Sequence, residues 1–168
     1  MKTVFEDYIK GSEFIIKEST PETVFTPENF SDEQILMKDS VKEFVDREII
    51  AERKRFENKD YEYTKEVMQK AGKLGFLGVG VPEEYGGMGM PFTSTMLVCE
   101  YISGANGSFS TAFGAHTGIG TMPIVLYGNE EQKSQYVPKL ASGEWFGSYC
   151  LTEPDAGSDA NSGKTFAK

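Results

Sequence analysis

Between Tyr149 and Asp159 the chain sets a hydroxyl, a bend of small residues and three acids within eleven positions. Thr152 ends a run with the two-residue alternation of a strand, so its hydroxyl is delivered at the strand's carboxyl end. Ala156, Gly157 and Ser158 follow, small enough for a ligand to touch the backbone, and Ser158 adds a donor suited to phosphate or carbonyl oxygen. Glu153, Asp155 and Asp159 would repel an anion unless they turn away, so any phosphate contact must rest on N–H and hydroxyl groups. The same residues would also make an ordinary surface turn. Residue chemistry alone leaves both readings open.

Two other glycine-rich segments fail as phosphate cradles. Gly78-Val79-Gly80 opens like a dinucleotide fingerprint, but Glu83 stands where the third glycine is needed and Pro82 denies the following helix. Gly157 to Thr165 resembles a P-loop with one residue too many before Gly163-Lys164-Thr165. That insertion displaces the N–H groups that would wrap a phosphate. His116 lies in an apolar, glycine-rich stretch without a neighbouring acid or nucleophile, which points to a packed, hydrogen-bonded imidazole rather than a base. Cys99 and Cys150 belong to no CxxC pair and read as small buried hydrophobes. With one histidine and two cysteines the sequence offers no typical zinc site. Trp145, Phe146 and Tyr149 read as core residues, although an aromatic strand could also pack on a flat cofactor.

Helices must position these residues. Residues 1–30 alternate short apolar pairs with Pro21 and Pro27 and hold no helical face, so they read as an extension. Ser31 with Gln34 forms a capping-box pattern, and Ile35, Val41, Phe44, Val45 and Ile49 follow at near-helical spacing. The charged run Glu52 to Asp60 reads as a solvated helix end and linker. A helix from Thr64 carries Val67, Met68, Ala71 and Leu74, with Gly75 placed for a left-handed stop. Phe76 to Val81 reads as extended and Glu83 to Gly89 as a turn-rich loop. Thr93 or Ser94 caps a third helix carrying Met96, Leu97, Cys99 and Ile102. Gly114, Gly118 and Gly120 then cost an apolar stretch helix stability, which suggests close approach of another backbone or a ligand. Asn129 caps a helix through Leu140. Trp145 to Leu151 alternates as a strand, and Lys164 to Lys168 could begin another. The domains so predicted are 1–30, 31–144 and 145–168.

The 168 residues carry 17 basic and 26 acidic side chains, a net charge of −9, and no basic block. Such a surface repels phosphate backbones and anionic lipid heads, which argues against nucleic-acid and membrane-surface partners. Glu6 and Asp7 interrupt any signal-peptide core, and no apolar run approaches the roughly 20 residues a bilayer needs. The expected setting is cytoplasmic.

Cys150-Leu151-Thr152-Glu153, Ala156-Gly157-Ser158-Asp159 and Ser162 together resemble the first signature of the acyl-CoA dehydrogenases. Pro82 to Gly87, Gly128 to Lys133 and Tyr136 to Glu144 extend the likeness in the family's order. The Phe25 to Ser31 opening and the His116 segment resemble the very-long-chain type. The resemblance implies a mainly α fold: an orthogonal N-terminal helical domain, then the first strands of an incomplete β-barrel. It implies FAD as cofactor, with Tyr149, Leu151 and Thr152 lining the flavin, the Thr152 hydroxyl near N5, and Gly157 and Ser158 meeting the cofactor. Ser158 would also touch the acyl-CoA substrate, which family members oxidise to trans-2-enoyl-CoA in fatty acid β-oxidation. A glutamate removes the α-proton there, and no acid of this chain occupies its position. The expectation is a truncated piece, inactive alone and binding flavin weakly. Electron-transfer flavoprotein as acceptor and a homo-oligomer at full length are likewise implied. An acyl-CoA oxidase of the same fold, or a helical interaction module without activity, are the alternatives.

Overall fold

Asn129 shows how locally this chain signals its helices: its side chain accepts the Gln132 N–H at 2.8 Å while Gln132 returns the bond to the Asn129 N–H at 2.9 Å. The helix so capped, α7 (Glu130–Ala141), begins where the sequence places it. The computed structural model describes residues 8–166. Seven α-helices run in order among the described residues: α1 (Asp32–Phe44), α2 (Arg53–Glu57), α3 (Tyr61–Lys73), α4 (Phe92–Ala105), α5 (Gly107–Gly114), α6 (Met122–Tyr127) and α7. Two π-helical turns interrupt the set, Val45–Ile50 after α1 and Ala115–Gly120 between α5 and α6. The chain divides into two units, Met1–Met37 and Lys38–Lys168.

In the first unit the described residues form three short 3-10 turns, Gly11–Ile15, Pro21–Thr23 and Pro27–Asn29. Phe25 stacks edge-on between Tyr8 and Phe30, while Phe14, Ile15 and Ile16 are exposed. Ser31 and Gln34 close the expected capping box at the start of α1, although Ile35 faces outward. The acidic residues that break a signal-peptide core, Glu6 and Asp7, lie outside the described residues.

The second unit is built on an aromatic seam. Phe44 packs on Phe76, and Phe56 packs on both Tyr63 and Phe109, with ring centroids 5.4–5.6 Å apart. The charged run Glu52 to Asp60 is solvated as expected except at Phe56: α2 forms inside it and buries this one aromatic ring. Next to it α3 starts at Tyr61, earlier than Thr64, because the Asp60 carboxylate accepts the Tyr63 N–H at 3.0 Å. Gly75 takes φ +83° and ends α3 as expected, although Leu74 is exposed rather than part of the buried face. Helix α4 begins at Phe92 with Pro91 at its N-cap, two residues ahead of the expected cap Thr93 and three ahead of Ser94.

One expectation of extended structure is corrected. Phe76 to Val81 is coiled, a 3-10 turn over Phe76–Gly78 closed by Gly78 N–H to Gly75 O at 3.0 Å and Val81 N–H to Gly78 O at 3.1 Å. Among the described residues no strand lies beside it; the loop at Met88 to Met90 donates to its carbonyls instead. Trp145 to Leu151 and Lys164 to Phe166 join no sheet, and an isolated antiparallel bridge between Glu153 and Ala156 is the nearest thing to one among the described residues. A strand is a pairwise structure, and alternation in sequence cannot supply the partner. The last two residues of the second expected strand, Ala167 and Lys168, lie outside the described residues. Among the described residues no helix is long and apolar enough to cross a membrane.

Candidate functional site

The π-helical turn Ala115–Gly120 serves two neighbours at once. On one side it carries the chain that leads to Thr152, and on the other it walls an apolar cavity.

On the first side, His116 is 1% exposed and both ring nitrogens are used. Nε2 lies 3.0 Å from the Leu140 carbonyl at the end of α7, and the Gly147 N–H donates to Nδ1 at 3.0 Å. A carbonyl only accepts and a backbone N–H only donates, so the proton sits on Nε2 and the ring is neutral. Burial pushes the imidazole below its ordinary 6.5, against the opposing pull of the Leu140 carbonyl. Phe146 meets the ring edge-on at 5.7 Å. Beside it the backbones of Gly120 and Gly147 cross so closely that a Cβ on Gly120 would lie 2.6 Å from the Gly147 carbonyl carbon. The expected close approach at Gly120 is therefore backbone on backbone.

The sign of a pH effect follows. Unfolded His116 takes up a proton that the folded ring refuses, so stability is full above the ordinary 6.5 and falls as pH drops below it. Urea unfolding at a series of pH values between about 5 and 8 is expected to show that decline, and His116→Gln to flatten it. A decline of equal size in His116→Gln would contradict this assignment.

Beyond Gly147 the chain is open. Trp145 is held by its N–H to the Lys139 carbonyl at 3.0 Å and lies under the Lys139 ammonium, 4.2 Å from its ring centre. Tyr149 and Leu151 are 54% and 47% exposed, and Thr152, Gly157 and Ser158 are exposed too. The expected core role of Trp145, Phe146 and Tyr149 is thus corrected, since each shows at least 40% of its surface. Cys150 is exposed rather than buried, whereas Cys99 is half-buried and its thiol pushed up by burial. The bridge from Glu153 to Ala156, with both bonds at 3.1 Å, turns the chain back directly after Thr152 and buries Ala156.

The three acids of this stretch are occupied. Glu153 accepts the N–H groups of Lys164 and Thr165 at 2.7 and 3.0 Å, and the Thr165 side chain, with these N–H groups, holds its carboxyl below the usual range. Asp155 pairs with the Lys164 ammonium at 3.2 Å, and Asp159 accepts the Ser162 hydroxyl. Each therefore has a partner inside its own loop.

The cavity on the other side encloses about 410 Å³. Gly114, Thr117 and Gly118 face Met96 and Cys99 of α4, Phe76 and Val79 of the 3-10 loop, and Met122 of α6. Among the described residues no charged side chain lines it. Its glycines were visible in sequence as places of close approach, but a Cβ at Gly114 or Gly118 would meet nothing within 4 Å. The cavity itself was missed, because its walls come from three separate segments spread between Phe76 and Met122. Among the described residues no group of three potential metal ligands gathers.

Residues 31–144 match the family described as acyl-CoA dehydrogenase, N-terminal domain. A probable acyl-CoA dehydrogenase of Bacillus subtilis (strain 168) is 45% identical over 161 residues, covering 96% of this chain and 27% of its own length. A solved acyl-CoA dehydrogenase from Bacillus anthracis complexed with FAD superposes with TM-score 0.83 and 45% identity, over 89% of this chain and 26% of that one. A glutaryl-coenzyme A dehydrogenase solved with glutaryl-CoA gives TM-score 0.74 and 34% identity, over 80% and 34%. The chain thus spans about a quarter to a third of the length of these relatives. With the matched helices and the residue-level likeness at 150–162, this chain belongs to the acyl-CoA dehydrogenase family.

Proposed function

We propose that this chain is the N-terminal portion of a longer, cytoplasmic, FAD-dependent acyl-CoA dehydrogenase that converts acyl-CoA to trans-2-enoyl-CoA in fatty acid β-oxidation. The observation that carries the reading is the shared turn Ala115–Gly120, which sets an apolar cavity of about 410 Å³ against the root of the Tyr149 to Ser158 segment. A volume of that order suits an apolar chain.

The exposed residues fit a flavin. Tyr149 and Leu151 offer apolar surface and Thr152 a hydroxyl, and Gly157 leaves its surroundings open, with nothing within 4 Å of its Cβ position. The acids that would repel a pyrophosphate are turned onto Lys164, Thr165 and Ser162. When bound, FAD supplies the hydride acceptor of the reaction. The chain's part is to line it through Tyr149, Leu151 and Thr152, to present Gly157 and Ser158 to cofactor and acyl-CoA, and to hold the acyl tail among Met96, Gly114 and Gly118. On this reading Trp145 to Thr152 enters a barrel as a strand, electron-transfer flavoprotein accepts the electrons, and the full-length protein is a homo-oligomer. The base and most of the barrel come from other parts of the protein, so the 168 residues are inactive alone.

The full-length protein is expected to purify yellow and to lose its flavin absorbance when a saturated acyl-CoA is added without oxygen. A colourless product, or one that acyl-CoA leaves unbleached, would overturn the proposal. Gly114→Leu should raise KM for long-chain acyl-CoA at least about tenfold and spare short ones, because the new side chain fills the cavity. Equal KM changes for both would contradict the tail assignment.

A further inference from the structure

His116 is buried and titratable, and the proposed chemistry does not use it. Its contacts join three separate pieces of chain: the turn Ala115–Gly120, the end of α7 through Leu140, and the root of the cofactor segment through Gly147. Among the described residues, Ser148 to Thr152 make no hydrogen bond at all, and the next backbone bond is that of Glu153. The Gly147 bond to Nδ1 is therefore the last fixed point before the exposed residues Tyr149, Leu151 and Thr152.

We infer that His116 is a positioning residue, which through Gly147 sets where the Tyr149 to Thr152 segment lies and so how well it receives the flavin. The inference rests on the proposed reading of that segment as the cofactor's wall. The lever is short. Thr152 follows Gly147 by five residues, about 17 Å of extended chain at most, with no other anchor between. Register matters because successive residues of an extended segment face opposite ways, so a slip of one would turn Tyr149 and Leu151 aside. The crossing of Gly120 and Gly147 limits how near the two backbones come, and the imidazole fixes the direction of the Gly147 N–H. Trp145, two positions before Gly147 and bonded to the Lys139 carbonyl, holds the chain there but leaves that direction free.

The two ring nitrogens can be tested apart. His116→Gln keeps a donor for Leu140 and removes the acceptor for Gly147; His116→Asn keeps an acceptor near the Nδ1 position and removes the donor. The glutamine variant is expected to keep its Tm, to speed Gly147 amide exchange about tenfold or more in the 168-residue chain, and to weaken FAD affinity of the full-length protein by a similar factor. The asparagine variant should lose Tm yet keep Gly147 exchange and FAD affinity within about threefold. Loss of FAD affinity in step with Tm in both variants, or unchanged Gly147 exchange in the glutamine variant, would overturn the inference. If neither variant folds, imidazole nitrogen shifts of the wild-type chain decide: a proton on Nε2 supports it and a proton on Nδ1 overturns it. Gly147 exchange needs no flavin, so failure of the His116 hold and failure of the flavin reading are separate results.

Discussion

Phe109→Ala is expected to destabilise the chain by about 3–5 kcal/mol, the cost of emptying an aromatic site in a packed core. Phe109 has no exposed surface and stands between Phe56 at 5.6 Å and Phe113 at 6.4 Å. Its ring joins α2 to α5, elements that share little else. The walls are themselves rigid aromatic rings, so the void cannot collapse easily, which favours the upper part of that range. Equilibrium unfolding in urea reads the loss directly. A change below about 1 kcal/mol would show that the seam does not hold the unit together.

The second large effect lies at the backbone crossing. Gly120→Ala would place a methyl 2.6 Å from the Gly147 carbonyl carbon and 2.8 Å from its Cα, and those atoms belong to main chain rather than to a side chain that can swing away. The segment from Trp145 onward must then lift, at a cost of about 1–3 kcal/mol. With it goes the bond from Gly147 to His116. The expected readout is a loss of stability together with faster exchange of the Gly147 amide. Gly118→Ala, two positions earlier and open on the cavity side, should show neither change. Equal behaviour of the two variants would contradict the crossing.

These two sites also show what a sequence can disclose. Caps are local chemistry, so Asn129 with Gln132, Ser31 with Gln34 and the left-handed Gly75 are all read from neighbouring residues. Phe56 is different. It is one ring in a charged run, and its burial depends on Phe109, which arrives 53 positions later. His116 could be recognised as packed and hydrogen-bonded from its apolar setting, but its partner Gly147 could not. Phe76 to Val81 carries an extended composition and coils because the loop at Met88 to Met90 meets its carbonyls. In the segment from Tyr149 to Ser158 the residue types and the likeness to a family were legible. The exposure of Trp145, Phe146 and Tyr149 was not, since alternation does not say which neighbour covers which face.

Hydrogen–deuterium exchange of the full-length protein, with and without added FAD, tests the central claim most directly. The account predicts that FAD slows exchange across Tyr149 to Ser158, including the N–H groups of Gly157 and Ser158. Protection confined to other parts of the protein, with Tyr149 to Ser158 exchanging as fast as before, would contradict it.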